Sequence, residues 1–207
     1  IEKKTDPKML LNYITLVQVQ NVEEKKETIF ENIYSLPPAH HLSFYPFEEK
    51  LSILSYWDIN REKETVYKEE DAIEKFTALF NESVKKRLSS DVPIGTSLSG
   101  GLDSSTIIAT ISKLKATNDS IKTFSAVFPG FEQDESKHIT QISNSFNIEN
   151  FQVTPSADEL IKTFEKLCYH QEEPFPSSSI FLQYKVFERA SKQQVKVLLD
   201  GQGADEI

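Results

Sequence analysis

Two short segments carry the residue types that could do chemistry. The first is Ser99-Gly100-Gly101-Leu102-Asp103-Ser104-Ser105. It sits where an apolar strand, Ile94 to Leu98, would turn into a helix, Ser104 to Lys115. Such a turn aims backbone N–H groups and the positive end of a helix dipole at one spot, which suits a phosphate. The glycines let the backbone come close and take positive φ, and the serines add hydroxyl donors. Asp103 is the one carboxylate of the loop. Like charges repel, so beside a phosphate it reads as a Mg²⁺ ligand rather than a phosphate contact. No Lys follows the glycines, so the loop is neither a Walker A motif nor a Gly-x-Gly-x-x-Gly turn. Taken alone, the segment reads equally well as a Gly/Ser turn capped by Ser104.

The second segment is Val195-Lys196-Val197-Leu198-Leu199-Asp200-Gly201-Gln202-Gly203-Ala204-Asp205-Glu206. A β-branched and apolar strand runs into a glycine-flanked turn and then two acids. Alone it reads as a buried strand closed by a tight turn, with Asp205 an acid that favours a helix dipole.

The elements that must position these segments follow from periodicity. Glu69 to Ser89 places Ile73, Phe76, Leu79, Phe80, Val84 and Leu88 at helical spacing. Ile121 to Phe128 reads as a strand. A helix around 135–146, a strand around 151–153, helices around 157–169 and 178–192 and a strand at 195–199 complete the series. Strands alternating with helices predict an α/β fold with a parallel sheet and flanking helices. Ligands bind such sheets at the carboxyl ends of the strands, and both segments leave from carboxyl ends. Upstream, residues 10–20 read as a short helix and Ile29 to Leu36 as an amphipathic stretch ended by Pro37-Pro38. His41 to Phe47 and Leu51 to Trp57 read as a hairpin, and Asn60 to Asp71 as a linker.

Ser99 to Ser105 resembles the SGGxDS pyrophosphate loop of the ATP pyrophosphatase family. With the second segment, the chain resembles the glutamine-dependent asparagine synthetases, whose synthetase domain carries SGGLDSS and, about a hundred residues on, LSGEGADE. Thr123 to Gly130, Glu172-Glu173-Pro174-Phe175 and Leu36-Pro37-Pro38-Ala39-His40 are also similar to that family. The resemblance implies an adenine nucleotide alpha hydrolase-like fold over 61–207, incomplete at its C-terminus. Residues 1–60 would be the C-terminal part of a glutaminase domain. That domain begins with a nucleophilic Cys, whereas this chain begins at Ile1, so the fragment alone is expected to be inactive.

The implied reaction adenylates the side-chain carboxylate of aspartate with ATP. Ammonia from glutamine then gives asparagine, AMP and pyrophosphate. By the same resemblance Ser99, Gly100, Gly101, Asp103, Ser104 and Ser105 would bind ATP pyrophosphate, and Leu98, Val127 and Gly201 would frame the adenosine. Asp103 and Asp205 would hold Mg²⁺. Glu172 and Glu173 could face the acceptor pocket or be surface acids before a proline. One departure concerns the amide-forming step. Gln202 stands where the family has a Glu thought to deprotonate ammonium or its adduct, and a Gln amide has no basic lone pair near neutral pH. Asp200 stands where the family has Ser and could supply a base or repel the adenylate. Relatives adenylate other carboxylates, amidating sugar acids or closing β-lactams and peptide macrocycles. A non-catalytic nucleotide-binding module is the remaining alternative.

Composition bounds these readings. The chain has 207 residues and a net charge of −9, which argues against a nucleic-acid surface. No apolar run approaches membrane-spanning length. The one cysteine, Cys168, allows no internal disulfide and fits a reducing, cytoplasmic setting. It falls in the run Leu160, Phe164, Leu167 and reads as a core residue. The four histidines have no zinc spacing. Partners are expected to be small molecules, with a homodimer possible in the full-length protein.

Overall fold

A computed structural model describes residues 3–21, 23–60, 62, 65–114, 121–132 and 134–203. Contacts divide the chain into two units, Ile1–Val66 with Cys168–Ser177, and Tyr67–Leu167 with Ser178–Ile207.

In the first unit, helix α1 (Pro7–Leu16) starts earlier than its apolar pattern suggests, because Asp6-Pro7 is a start signal. The Asp6 carboxylate accepts from the Met9 N–H at 3.0 Å, and Pro7 sits where a helix has no N–H to satisfy. The helix ends on Val17 in the left-handed region, with φ 57°. The amphipathic stretch expected at Ile29 to Leu36 forms no helix; single bridges pair Thr5 with Phe30 and Glu27 with Tyr34. The hairpin is present as β1 (His40–Tyr45) and β2 (Lys50–Ser55), with His40 opposite Ser55 and Tyr45 opposite Lys50.

The second unit opens with α2 (Glu69–Arg87), which takes Glu69, Glu70 and Asp71 from the expected linker into its first turn. Acids at the start and Lys85, Lys86 and Arg87 at the end both complement the helix dipole. There follow β3 (Ile94–Ser97), α3 (Leu102–Leu114), β4 (Lys122–Ala126), α4 (Ser136–Phe146) and β5 (Asn150–Val153). Then come α5 (Ala157–Gln171), whose last residues fall in the first unit, α6 (Ser179–Lys192) and β6 (Val197–Leu199). The sheet order is β5-β4-β3-β6, all parallel. The expected α/β fold with flanking helices is therefore the fold observed.

Helix α3 packs with α2 and α4, while α6 packs on β4 and β5. Two apolar clusters join α3 to its neighbours: Val84, Ile107, Ile111, Ile121 and Leu199 in one, Leu98, Ile108, Val127 and Ile139 in the other. A third gathers Phe124, Val186, Ala190 and Val195 under α6. Only part of the α2 stripe is used. Val84 is buried and Phe80 and Leu88 pack beside it, but Ile73, Phe76 and Leu79 are exposed. Cys168 is half-buried rather than in the core, although its neighbour Leu167 is buried.

Gly95 sets how tightly the sheet closes. A Cβ there would lie 2.8 Å from the Lys122 carbonyl, 2.9 Å from Phe124 Cε2 and 3.0 Å from Leu198 Cδ2. Overpacking of that kind costs about 1–3 kcal/mol. Gly95→Ala is expected to lower the unfolding free energy by that much, seen as a urea midpoint lower by about 1 M with the slope unchanged, since the surface exposed on unfolding is the same.

Candidate functional site

The strand order places a switch point between β3 and β6. From β3 the chain winds outward through β4 and β5, and β6 returns on the other side. Adjacent loops at such a point diverge and leave a crevice at the carboxyl ends of the strands. A cleft of about 380 Å³ lies there, lined by residues of β3, β4 and α6 and the loops after β3, β4 and β6.

The loop after β3 is held by its own serines. The Ser99 N–H donates to Ser104 Oγ at 3.3 Å, and the two hydroxyls lie 3.1 Å apart. The Gly101 N–H donates to Ser99 Oγ at 3.3 Å. The Ser104 and Ser105 hydroxyls both donate to the Gly101 carbonyl, at 3.3 and 2.5 Å. Gly100 has φ +87°, and a Cβ on it would sit 3.0 Å from His138 Cβ. Positive φ and the close pass of α4 together require glycine there. Beyond the turn, the first residues of α3 have N–H groups with no carbonyl one turn back, which is what an anion would meet.

The loop after β6 packs on this one. A Cβ on Gly201 would stand 2.9 Å from Asp103 Cβ and 3.3 Å from the Ser104 nitrogen. Asp200 extends into the cleft. Its carboxylate accepts from the Ser97 hydroxyl at 3.3 Å and from the Gly201 N–H at 2.9 Å.

The remaining expected residues are placed as follows. Leu98 and Ser99 line the cleft. Val127 does not; it is buried beneath with Leu98, Ile108 and Ile139, and its neighbours Ala126 and Phe128 line the cleft. The N–H groups of Leu98 and Val127 are already used within the sheet, donating to Phe124 and Val153 carbonyls at 2.9 Å. Gln202 is exposed. Asp205 lies outside the described residues. Among the described residues no group of three or more acids, histidines or cysteines gathers into a metal site. Asp103 stands at the head of α3, against Gly201.

Phe131 and the α6 residues of the cleft wall gave no motif signal, whereas Phe124 and Ser125 fall in the family-like segment Thr123 to Gly130. Phe124, Ser125 and Phe131, together with Leu182 and Val186 of α6, form much of the wall. Asp134 shapes the loop after β4. Its carboxylate accepts from the Phe128 N–H at 2.9 Å and the Ser136 hydroxyl at 2.6 Å. The Asp134-x-Ser136 spacing ahead of a helix is the signal that could have found it. Those hydrogen bonds, the Ser136 hydroxyl first, hold the Asp134 carboxyl below its usual range. A carboxyl lowered on folding stabilises above its unfolded value, about pH 3.9, and loses that contribution as pH falls through the lowered one. Asp134→Asn is expected to flatten the acid limb of the melting-temperature profile, lowering the melting temperature most at neutral pH, where the carboxylate contributes fully, and least below about pH 4.

Residues 75–207, more than half of the chain, match the sequence model of the Asparagine synthase family. The chain belongs to that family. It is 32% identical over 180 residues to a protein of Methanocaldococcus jannaschii assigned as asparagine synthetase (glutamine-hydrolysing) 2, across 87% of this chain and 34% of that one. It is 27% identical over 194 residues to the amidase chry2 of Gibberella zeae, across 86% of this chain and 29% of that one. The chain thus spans about a third of the length of these relatives. An NH3-dependent NAD synthetase of Campylobacter jejuni, solved with nitrate, superposes with a TM-score of 0.42 and 14% identity, over 60% of this chain and 54% of that one. No described helix is long and apolar enough to cross a membrane.

The contact between the two loops can be tested directly. Gly201→Ala would push its loop off Asp103, and a displacement near 1 Å in a positioned site costs about a hundredfold in rate. If the full-length protein adenylates a carboxylate, its ATP–pyrophosphate exchange falls by about that factor in this variant while its melting temperature stays within a few degrees.

Proposed function

We propose that this chain forms the ATP-binding half of an enzyme that adenylates a carboxylate and passes it to a nitrogen nucleophile. The supporting observation is the packing of Gly201 on Asp103, which brings the two signature loops together at the switch point of a parallel sheet. In this reading Ser99, Gly100, Gly101, Ser104 and Ser105 hold the β,γ-pyrophosphate through loop N–H groups and hydroxyls. Leu98 and Gly201 frame the adenosine, with Ala126 and Phe128 at the cleft in place of the buried Val127. Asp103 and Asp205 would hold Mg²⁺, which would neutralise triphosphate charge. Residues 1–60 are then the C-terminal part of a glutaminase domain and 61–207 the synthetase-like domain.

The chemistry follows from the weakness of a carboxylate as an electrophile. A substrate carboxylate oxygen attacks the α-phosphorus, the bond from that phosphorus to the bridging oxygen breaks, and pyrophosphate leaves. Fixed N–H dipoles of the loop, aligned before reaction, stabilise the charge that gathers on the departing group. Ammonia then attacks the acyl carbon, AMP leaves, and the excess proton must go to a base. Gln202 cannot accept it. Asp200 can, and its carboxylate lies at the cleft. Aspartate is the first-choice acceptor, with glutamine as the ammonia source. The same departure, with an amidase among the relatives, favours another carboxylate as the second choice.

The test is ATP–pyrophosphate exchange by the full-length protein with Mg²⁺ and a panel of acids including aspartate. Exchange with aspartate is the expected result. Exchange only with another acid would keep the adenylation and replace the acceptor. ATP binding without exchange for any acid would reject the enzyme in favour of a binding module. Asp103→Asn is expected to cut exchange by about 10²–10³, the usual loss on removing an electrostatic contact to a developing charge.

A further inference from the structure

Helix α6 has two working sides. Leu182, Gln183 and Val186 line the nucleotide-type cleft, while Lys185, Glu188, Arg189 and Lys192 line a second cleft of about 330 Å³. Gln152, Val153, Thr154 and Pro155, at the end of β5, and Glu159 of α5 complete its wall. No residue of the two signature segments reaches it.

The charges in this second cleft do not balance. Lys185, only 13% exposed, pairs with Glu159 at 2.9 Å and Glu188 at 2.8 Å. Lys192 pairs with Glu188 at 3.4 Å. The two lysines therefore neutralise the two glutamates. Arg189 is left over, and among the described residues no carboxylate pairs with it. Its Nε is buried and has no hydrogen-bond partner. Its guanidinium lies 5.5 Å from the Phe151 ring centroid, a contact that fixes a face and leaves the donor edge to a ligand.

A buried guanidinium Nε–H without an acceptor is costly, and the fork of N–H groups it belongs to matches a carboxylate or phosphate oxygen pair. We propose that this second cleft binds a small molecule carrying an oxyanion, phosphate or carboxylate, held by the edge of Arg189 with Lys192 beside it. The cleft volume suits a small metabolite rather than a polymer. The site is also joined to the first cleft by packed rings: Phe151, under Arg189, stacks on Phe124 at 5.5 Å, and Phe124 lines the nucleotide-type cleft.

Calorimetric titration of the full-length protein with inorganic phosphate, and separately with acetate, at matched ionic strength tests this. Saturable binding is expected, about tenfold weaker in Arg189→Lys, which keeps the charge and loses the fork. Lys192→Gln should weaken it less, and Lys113→Gln, at an exposed position of α3, should not change it. Phosphate binding elsewhere would be untouched by Arg189→Lys, so equal affinity in that variant overturns the proposal. Failure of both anions to bind the unaltered protein overturns it too. Binding of phosphate alone assigns the site to phosphoryl ligands; equal binding of acetate with the same dependence on Arg189 assigns it to carboxylates.

Discussion

Everything at the candidate site depends on the parallel pairing of β3 with β6. Ile94, Gly95 and Thr96 lie opposite Val197, Leu198 and Leu199, so the two strands reach their carboxyl ends side by side. Only that register lets the loop after β6 lean on the loop after β3, with Gly201 against the start of α3. Parallel strands cannot be joined by a hairpin, so the pairing is made across about half of the chain's length, after α3, α4, α5 and α6 have covered the sheet. The site is therefore as well made as the sheet is, and its geometry is lost if β6 slips by a residue.

Beneath the cleft the sheet carries hydroxyls and an amide instead of a wholly apolar face. The Ser125 hydroxyl donates to the Leu98 carbonyl at 2.5 Å, and the Asn150 amide donates to both Ser125 and Thr123 at 2.9 Å. Thr123 and Ser125 are buried, so these bonds avoid the cost of unsatisfied polar groups. They also link β3, β4 and β5 just where Leu98 leads into the phosphate-type loop. Small side chains here serve two ends: they let α3 and α4 approach closely, and they fix a carbonyl that would otherwise be free to tilt. Phe124, between Thr123 and Ser125 in sequence, points the opposite way into the cluster under α6, as strand alternation requires.

Much of this was legible in the sequence, for physical reasons. Strand β6 is a short apolar run, β3 and β4 lie within segments bounded by apolar residues, Ile94 to Leu98 and Ile121 to Phe128, and α2, α3, α4, α5 and α6 have helical spacing, so order and type followed from periodicity. Gly100 and Gly101 announced a backbone turn, and the turn is there with Gly100 at positive φ. What could not be read was which side of each element would be covered. Ile73, Phe76 and Leu79 share the stripe of Val84 yet stay exposed, because a stripe records apolarity and not the length of the neighbour that covers it. Ile29 to Leu36 looked amphipathic, but its backbone bonds go to isolated bridges. The α6 wall of the cleft was hidden for a related reason: Leu182 and Val186 look like any buried helix side chains until the sheet brings them beside Ser125 and Phe124.

The departures from the family motif fall where the packing places no demand. Gly201, whose missing side chain the Asp103 contact requires, is unchanged from the motif, and so are the glycines and serines that brace the other loop. Gln202 and Asp200 flank Gly201 without filling its contact; Gln202 is exposed, and the Asp200 carboxylate is satisfied by the Ser97 hydroxyl and the Gly201 N–H. The contact that joins the two loops can therefore stay constant while the residues on either side of Gly201 change, since neither Asp200 nor Gln202 takes part in it.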